Sequence, residues 1–364
     1  MENNARRAVI EEKLSKLIDA FTPILYEEDE TFLEGMKDRN LAGDDIRRYQ
    51  HWEWTQGVGL YGLWKMFSRT KEQRYLDILT RFFDAQMEVG FPALNVNTMA
   101  PFLTMSYVGE YLASEKYLNP CRDAARWIME KFPRTEENGL QHMTSDTLNA
   151  QELWDDTLFM TVLFLANMGR IEGKREYIEE AQYQFLLHAK YLADPKTGLW
   201  YHGWCFNGRH NFAGAFWGRG NCWITIAIPE FLQMAEVQED VAVKLKRILL
   251  AQVESLIKYQ NATGMWNTLI DDPTSYVESS ATCGFAYGIL KAVHTGLIDA
   301  SFAEASWKAL NAILGYIDEN GVVHQVSYGT PMGRETKDFY KKIALKPMPY
   351  GQALAILLLI ECLE

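Results

Sequence analysis

Two adjacent carboxylates, Asp155 and Asp156, stand at the start of an apolar segment with the sequence ELWDDTLFM. An aspartate that points into a cavity can act as a general acid or base, whereas one at a helix N-terminus can simply cap the helix. Because adjacent helical residues point about 100° apart, we expect the two side chains to have different roles. We predict that one of them is catalytic, and the alternative is that both only cap the helix.

Polar and aromatic residues with a chemistry suited to sugars follow in YHGW and WGRGNCW. Arg219 lies between two glycines, which allow close approach, so its planar guanidinium could bind a carboxylate or form an internal salt bridge. His202 could hydrogen-bond a hydroxyl or orient water, or it could be a buried structural histidine. Trp217 and Trp223 could stack on a sugar or belong to the core.

The sequence lacks the motifs of the common nucleotide- and metal-dependent enzymes. Walker A, a GxGxxG after a predicted strand, GxSxG and HExxH are all missing. No two histidines are four residues apart, and His202 and His210 are eight apart in a predicted loop. We therefore predict no cofactor and no metal.

Twelve helices, alternately amphipathic and apolar, would position these residues. Six apolar segments with polar heads begin near residues 51, 95, 154, 217, 276 and 349, and four follow an Asn/Thr-Gly-apolar turn. Six charged segments with a period near 3.6 alternate with them. Since the apolar helices must be buried on most sides, we predict an all-α (α/α)6 barrel, a six-hairpin toroid that forms one domain over residues 1–364. The alternatives are an irregular α-domain or two domains.

The inner helices of such a toroid run in one direction, so their polar heads meet at one mouth. Six positive helix ends there favour an anion. The heads carry residues suited to sugar binding, among them Trp54, Asn97, Trp154 and Trp217. We therefore predict a site for an acidic carbohydrate.

The composition limits the classes of binding partner and the cellular location that we expect for this protein. The 364 residues include 48 acidic and 36 basic ones, a net charge of −12, which argues against nucleic acid and anionic membranes as partners. Five cysteines without a CxxC pair indicate reduced thiols. The N-terminal residues lack the apolar core of a signal peptide, so we expect a cytoplasmic location.

Taken in order, ELWDDTLFM, YHGW, WGRGNCW and the late SYGT and YGQA segments resemble the unsaturated rhamnogalacturonyl hydrolases of glycoside hydrolase family 105. That family is related to the unsaturated glucuronyl hydrolases of family 88. The resemblance runs from about residue 45 to the C-terminus, and it implies an (α/α)6 barrel.

The resemblance also implies a reaction. These enzymes remove the 4,5-unsaturated uronic acid that lyases leave at the non-reducing end of an oligosaccharide. An aspartate protonates C4 of the enol ether, water adds at C5, and the hemiketal opens and expels the remaining sugar. Position in the W-x-D motif makes Asp156 the catalytic residue. His202, Arg219, Trp223 and Trp154 match positions around the unsaturated sugar.

One segment departs from the family pattern. Many members carry an aspartate before the second inner helix, where this chain has Asn95 and Asn97 in ALNVNTMAP. An asparagine can hydrogen-bond a hydroxyl, but it cannot raise the pKa of a neighbouring carboxyl by like charge. This departure affects the choice of substrate within the family more than the catalytic role of Asp156.

The predicted activity is therefore hydrolysis of a small unsaturated uronyl oligosaccharide, most simply a disaccharide. Rival activities are those of other (α/α)6 enzymes, such as a sugar epimerase or a conventional inverting glycosidase. A further rival is a non-catalytic carbohydrate-binding toroid. The sequence leaves open the uronate, the second sugar and the oligomeric state.

Overall fold

A computed structural model describes residues 2–364, with side chains from residue 5 onward, so the first residue of the predicted domain lies outside the described residues. Thirteen helices and two short strands are assigned within that range. The helices are α1 (Glu2–Leu25), α2 (Glu30–Arg39), α3 (Trp54–Thr70), α4 (Gln73–Val89), α5 (Val96–Tyr111), α6 (Glu115–Glu130), α7 (Leu163–Glu172), α8 (Arg175–Leu192), α9 (Gly218–Met234), α10 (Glu239–Tyr259), α11 (Ser279–His294), α12 (Ala303–Ile313) and α13 (Pro349–Glu361). The strands are β1 (Glu152–Trp154) and β2 (Gly203–Cys205).

Twelve of these helices form two concentric rings. The inner ring consists of α3, α5, α7, α9, α11 and α13, which are buried along most of their length. The outer ring consists of α1, α4, α6, α8, α10 and α12. Helix α4 shows its character, because Leu76, Leu79 and Phe83 face the core while the intervening charged residues face solvent. The predicted (α/α)6 fold is confirmed.

Small residues allow the inner helices to pack at short distances. A Cβ atom at Gly57 of α3 would lie only 2.7 Å from the backbone nitrogen of Pro101 in α5. At Gly288 of α11 it would lie 2.6 Å from the carbonyl carbon of Thr225 in α9. Larger residues would therefore push the helices of the inner ring apart.

The third inner helix begins later than the sequence indicated. We expected it to start near residue 154, but Trp154 is the last residue of β1, and a widened helical turn over Leu158–Val162 precedes α7. Strand β1 pairs antiparallel with β2, with Trp154 opposite Gly203. The Asp155–Asp156 pair consequently lies in the turn between β1 and the helix.

Helix α2 has no counterpart in the predicted set of twelve. Asp29 caps its N-terminus by accepting a hydrogen bond from the backbone of Phe32 at 3.1 Å. The backbone of Leu41, just after the helix, donates to the carbonyl oxygen of Ser145. This short helix therefore lies beside the mouth at which the inner helices begin. Across residues 2–364 no helix is both long and apolar enough to cross a membrane.

Candidate active site

A cavity of about 500 Å³ opens where the inner helices begin. This is a common size for a small-molecule site. Helix α2 and the segment that includes residues 328–334 complete its wall. Six of the eight predicted site residues line it, namely Trp54, Asn97, Trp154, Asp156, Trp217 and Trp223.

Asp156 presents a carboxyl group to this cavity. Its side chain is 17% exposed, so a ligand can reach it, and Oδ1 lies 3.6 Å from Nδ1 of His142. Burial raises the pKa of Asp156 to about 7, although a backbone hydrogen bond and the charge of Arg219 act in the opposite direction. An aspartic acid in this state can hold a proton near neutral pH and donate it.

Asp155 is the more deeply buried member of the pair. It is 0% exposed, and a Cβ atom at Gly220 would lie 2.8 Å from its Cγ, so Gly220 makes room for this carboxyl group. Burial and the nearby charge of Asp156 raise the pKa of Asp155 well above its usual value. The two aspartates therefore differ in access: Asp156 faces the cavity, and Asp155 lies beneath it against the start of α9.

The pairing of β1 with β2 brings His202 to the aspartates. The backbone N–H of Asp155 donates to the carbonyl oxygen of His202 at 3.0 Å. Burial lowers the pKa of His202, with smaller contributions from His142 and Arg219, so the ring is neutral.

The tautomer of His202 depends on its hydrogen bond with the hydroxyl of Tyr340. Nδ1 lies 2.6 Å from the hydroxyl oxygen of Tyr340, and that oxygen accepts from the N–H of Gly333 at 3.0 Å. The hydroxyl of Tyr340 can donate either to Nδ1 or to the sulfur of Met332 at 3.8 Å, and in the first case the proton of the imidazole is on Nε2. Within the described residues Nε2 has no hydrogen-bond partner. In that tautomer, His202 offers a buried N–H beside the carboxyl pair.

One oxygen each from Asp155 and Asp156 and one nitrogen of His202 lie within 4.8 Å of one another. Two carboxylates and an imidazole could hold a divalent cation. The raised pKa values of both carboxyl groups offer another way to keep this cluster neutral, namely retention of protons.

Aromatic rings form much of the cavity wall. Trp154 stacks on His142 with ring centroids 4.1 Å apart and an interplanar angle of 7°. Trp54 stacks on Tyr350 at 4.6 Å, and Trp217 lies 4.4 Å from the ring of His202. Flat apolar faces of this kind suit the C–H faces of a sugar ring.

Arg219 lies behind the cavity wall. Its guanidinium donates to the carbonyl oxygens of Ser327 and Tyr328 at 2.8 and 3.1 Å and to Oγ1 of Thr330 at 3.0 Å. It lies 3.9 Å from Glu278 and is 1% exposed. These contacts leave no free guanidinium fork for a ligand. We therefore revise the predicted role of Arg219, from a carboxylate ligand to a residue that positions the segment at 327–330.

Of the two asparagines that depart from the family pattern, one caps a helix and the other lines the cavity. Asn95 caps α5, because its Oδ1 accepts from the backbone N–H groups of Asn97 and Thr98 at 2.9 and 3.1 Å. Its amide also donates to the hydroxyl of Ser145 at 3.1 Å. Asn97 lines the cavity beside Glu53.

The sequence places Glu53 among the polar helix heads but gave it no site role, and it did not select His142 or Arg334, although all three line the cavity. Arg334 donates to both carboxylate oxygens of Glu152 at 2.8 and 3.2 Å, and its side chain is 48% exposed. It is therefore an exposed cation at the cavity wall whose guanidinium fork is held by Glu152. Glu53 directly precedes Trp54 in a predicted polar helix head, which was a usable signal. No sequence motif pointed to Arg334.

The sequence profile of glycosyl hydrolase family 88 matches residues 29–364. The chain therefore belongs to this family of glycosyl hydrolases, which confirms the class of enzyme that the sequence resembled. It is 32% identical over 320 residues to the unsaturated rhamnogalacturonyl hydrolase YesR of Bacillus subtilis, a match that covers 86% of this chain and 90% of that protein.

Solved structures agree with this assignment. A possible member of family GH105 from Salmonella enterica serovar Paratyphi A is 44% identical with a TM-score of 0.90, over 98% of this chain and 93% of that chain. A possible GH105 member from Klebsiella pneumoniae is 43% identical with a TM-score of 0.88, over 99% and 93%. The unsaturated glucuronyl hydrolase of Bacillus sp. GL1 is 17% identical with a TM-score of 0.69, over 95% and 96%, and shares the fold.

Proposed function

We propose that this enzyme hydrolyses small oligosaccharides that begin with a 4,5-unsaturated uronic acid, and that Asp156 is its general acid and base. The observation that carries the proposal is the Asp156 carboxyl group, which lines the cavity with a pKa raised to about 7. Membership of the family and the similarity to a named unsaturated rhamnogalacturonyl hydrolase support the substrate class.

In the proposed reaction, the protonated Asp156 transfers its proton to C4 of the enol ether. The double bond shifts its electrons to C4, and positive charge develops at C5 and the ring oxygen. Asp156, now a carboxylate, accepts a proton from the water that attacks C5. The product is a hemiketal, which opens and releases the second sugar. One carboxyl group thus serves twice.

Other residues of the cavity would orient the sugar for this step. Trp54, Trp154 and Trp217 supply flat faces. The Nε2–H of His202, close to the carboxyl pair, can stabilise the carboxylate that forms on Asp156. Arg334 at the cavity wall is suited to the uronate charge, a role that Arg219 cannot fill from its buried position.

The test is a panel of lyase-generated unsaturated disaccharides, followed by loss of the ultraviolet absorbance of the conjugated enol ether. Saturated disaccharides of the same sugars are the matched controls. Turnover in D₂O should place deuterium at C4 of the product, visible by NMR. A product that keeps its C4=C5 double bond would contradict hydration, even if the bond between the sugars is cut.

A conventional inverting glycosidase is the second candidate, because Glu53 gives the cavity a second carboxyl group. Such an enzyme needs an acid and a base on opposite sides of the scissile bond. It would act on the saturated controls and leave the double bond of an unsaturated ring intact, so the same panel separates the two reactions.

We also propose that residues 1–364 act as one catalytic domain and that the enzyme is cytoplasmic. One hydrophobic cluster that extends from Ile10 in α1 to Ile360 in α13 supports the first point. All five cysteines are free thiols, which suits a reducing compartment. The proposed partner is a small acidic oligosaccharide rather than nucleic acid or a membrane.

A further inference from the structure

Glu53 is a buried carboxyl group near the cavity mouth that no cation neutralises, in contrast to Asp146 and Glu152. Asp146 lies 3.3 Å from Arg39, and Glu152 is paired with Arg334. Glu53 has no such partner within salt-bridge distance among the described residues, yet it is only 6% exposed and lines the cavity. A buried carboxyl group without a cation is costly, so its retention needs a reason.

A neutral donor, the hydroxyl of Ser145, contacts this carboxyl group instead. Oε1 accepts from the hydroxyl of Ser145, which in turn accepts from the side-chain amide of Asn95 at 3.1 Å. The nearby backbone of Trp54 and side chain of Asn97 favour the charged form of Glu53 and act to lower its pKa. Burial nevertheless raises the pKa of Glu53 to about 7. A carboxylate has about four acceptor positions, so the hydrogen bond from Ser145 leaves room for a hydroxyl of a ligand.

Glu53 does not cap the helix that follows it. It is the residue before α3, but its side chain makes no capping hydrogen bond to that helix. Its carboxyl group turns toward the loop at Ser145 and the cavity, where Asn97 and Trp54 also lie. Acceptor, amide and aromatic face together form the arrangement that commonly holds a polyhydroxylated ring.

We propose that Glu53 is a specificity-determining residue that accepts hydrogen bonds from ring hydroxyl groups of the sugar in the cavity, with Asn97 beside it and Ser145 holding it in place. The inference rests on the proposed function, because it concerns the same site and the same class of sugar. It assigns to Glu53 substrate binding, and not the proton transfer that belongs to Asp156.

The experiment measures binding by calorimetry in an Asp156→Asn background, which prevents turnover. The ligands are an unsaturated uronyl disaccharide and its two analogues that lack the C2 or the C3 hydroxyl of the unsaturated ring. Adding Glu53→Gln should weaken binding of the parent disaccharide roughly tenfold or more, since hydrogen bonds to charged groups are strong. For at least one deoxy analogue the same substitution should change binding by less than about twofold, because the partner hydroxyl is gone.

Glu230→Gln is the matched control, because Glu230 is a buried carboxylate between Lys65 and Tyr287 that does not line the cavity. Any effect of this control should be equal for all three ligands. If the Gln variant does not fold, Glu53→Asp keeps the charge and withdraws it from the cavity, and it should show the same dependence on the hydroxyl.

An equal loss for all three ligands, or no loss, would overturn the inference and leave Glu53 as a structural tie to the loop at Ser145. Turnover of the unsaturated disaccharide by the unmodified enzyme, measured in parallel, tests the proposed function separately. Absence of both turnover and binding would overturn the two proposals together.

Discussion

Glu230 at one end of the barrel and the Asp155–Asp156 pair at the other are buried carboxyl groups held in opposite ways. At the end opposite the cavity mouth, Lys65 donates to Glu230 at 2.8 Å and the hydroxyl of Tyr287 donates to its other oxygen. Burial opposes ionisation of Glu230, but Lys65 and Lys291 outweigh it, and its pKa is lowered. At the mouth, burial prevails at Asp155 and Asp156, whose pKa values are raised.

This difference separates a group that stabilises the fold from groups held ready for chemistry. A carboxylate with a cation and a hydroxyl partner is fixed in one ionisation state. A carboxyl group without them is kept at a cost in folding free energy, and it can exchange a proton near neutral pH. The following substitutions test whether the two ends of the barrel are as distinct as their contacts indicate.

Asp156→Asn should have the largest effect on activity. A general acid or base contributes about 10²–10⁴-fold, and more if one group serves twice, so kcat should fall by at least this factor. The thermal midpoint should not fall, because the substitution removes a buried ionisable group. Steady-state kinetics and thermal unfolding measure both. Asp155→Asn is the paired control, and a larger loss of kcat there would show that the other carboxyl group is catalytic.

Glu230→Gln should show the reverse pattern. It leaves Lys65, whose side chain is 21% exposed, without its carboxylate, and breaking a buried ion pair costs about 3 kcal/mol. Chemical denaturation should report this loss in the free energy of unfolding, while kcat/KM of the folded enzyme changes little. A large loss of kcat/KM without destabilisation would show that the two ends are coupled.

Arg219→Ala should impair activity because the segment at 327–330 loses its anchor. The loss in kcat/KM should be about tenfold or more. It should be the same for the uronate substrate and for an analogue whose carboxylate is a neutral amide. Arg219→Lys should be impaired too, since it lacks the planar fork. A loss confined to the carboxylate substrate would restore Arg219 as a direct ligand.

The smallest expected effect is the pH dependence of activity and stability that the raised pKa of Asp156 causes. Asp156 donates only when protonated, so kcat should fall as the pH rises through about 7. The same raised pKa means that the folded protein binds more protons than the unfolded one between about pH 4 and 7. The stability that Asp156 contributes is therefore lost as the pH rises through that window. The midpoint of Asp156→Asn relative to the unmodified enzyme should be higher at pH 8 than at pH 5, and a constant difference would contradict this.

Several features could be predicted from the sequence because they depend on local patterns. The alternation of apolar and amphipathic segments was enough for the double ring of helices. Three of the inner helices, α5, α9 and α13, begin within one residue of the expected positions. The WDDTLFM and WGRGNCW segments were enough to select residues that line the cavity. Strand β1 was missed because three residues are too short a run to show a period of two.

Distant parts of the chain decided the rest. The sequence WDD alone does not tell which aspartate faces the cavity. The packing of α9 against the turn leaves Asp155 beneath the cavity, next to Gly220, and Asp156 facing it. The hydrogen-bond partners of Arg219 are 108 or more residues away, and Ser145 lies 92 residues from Glu53.

The sequence by itself therefore determined the double ring of twelve helices and the family to which the chain belongs, since both follow from residues close together along the chain, whereas it missed α2 and the start of α7. Only the tertiary structure decided which carboxyl groups meet a cation and which meet a cavity. The physical reason is that burial and charge pairing depend on what the folded chain brings within a few ångströms, and these quantities set the pKa values on which the proposed chemistry rests.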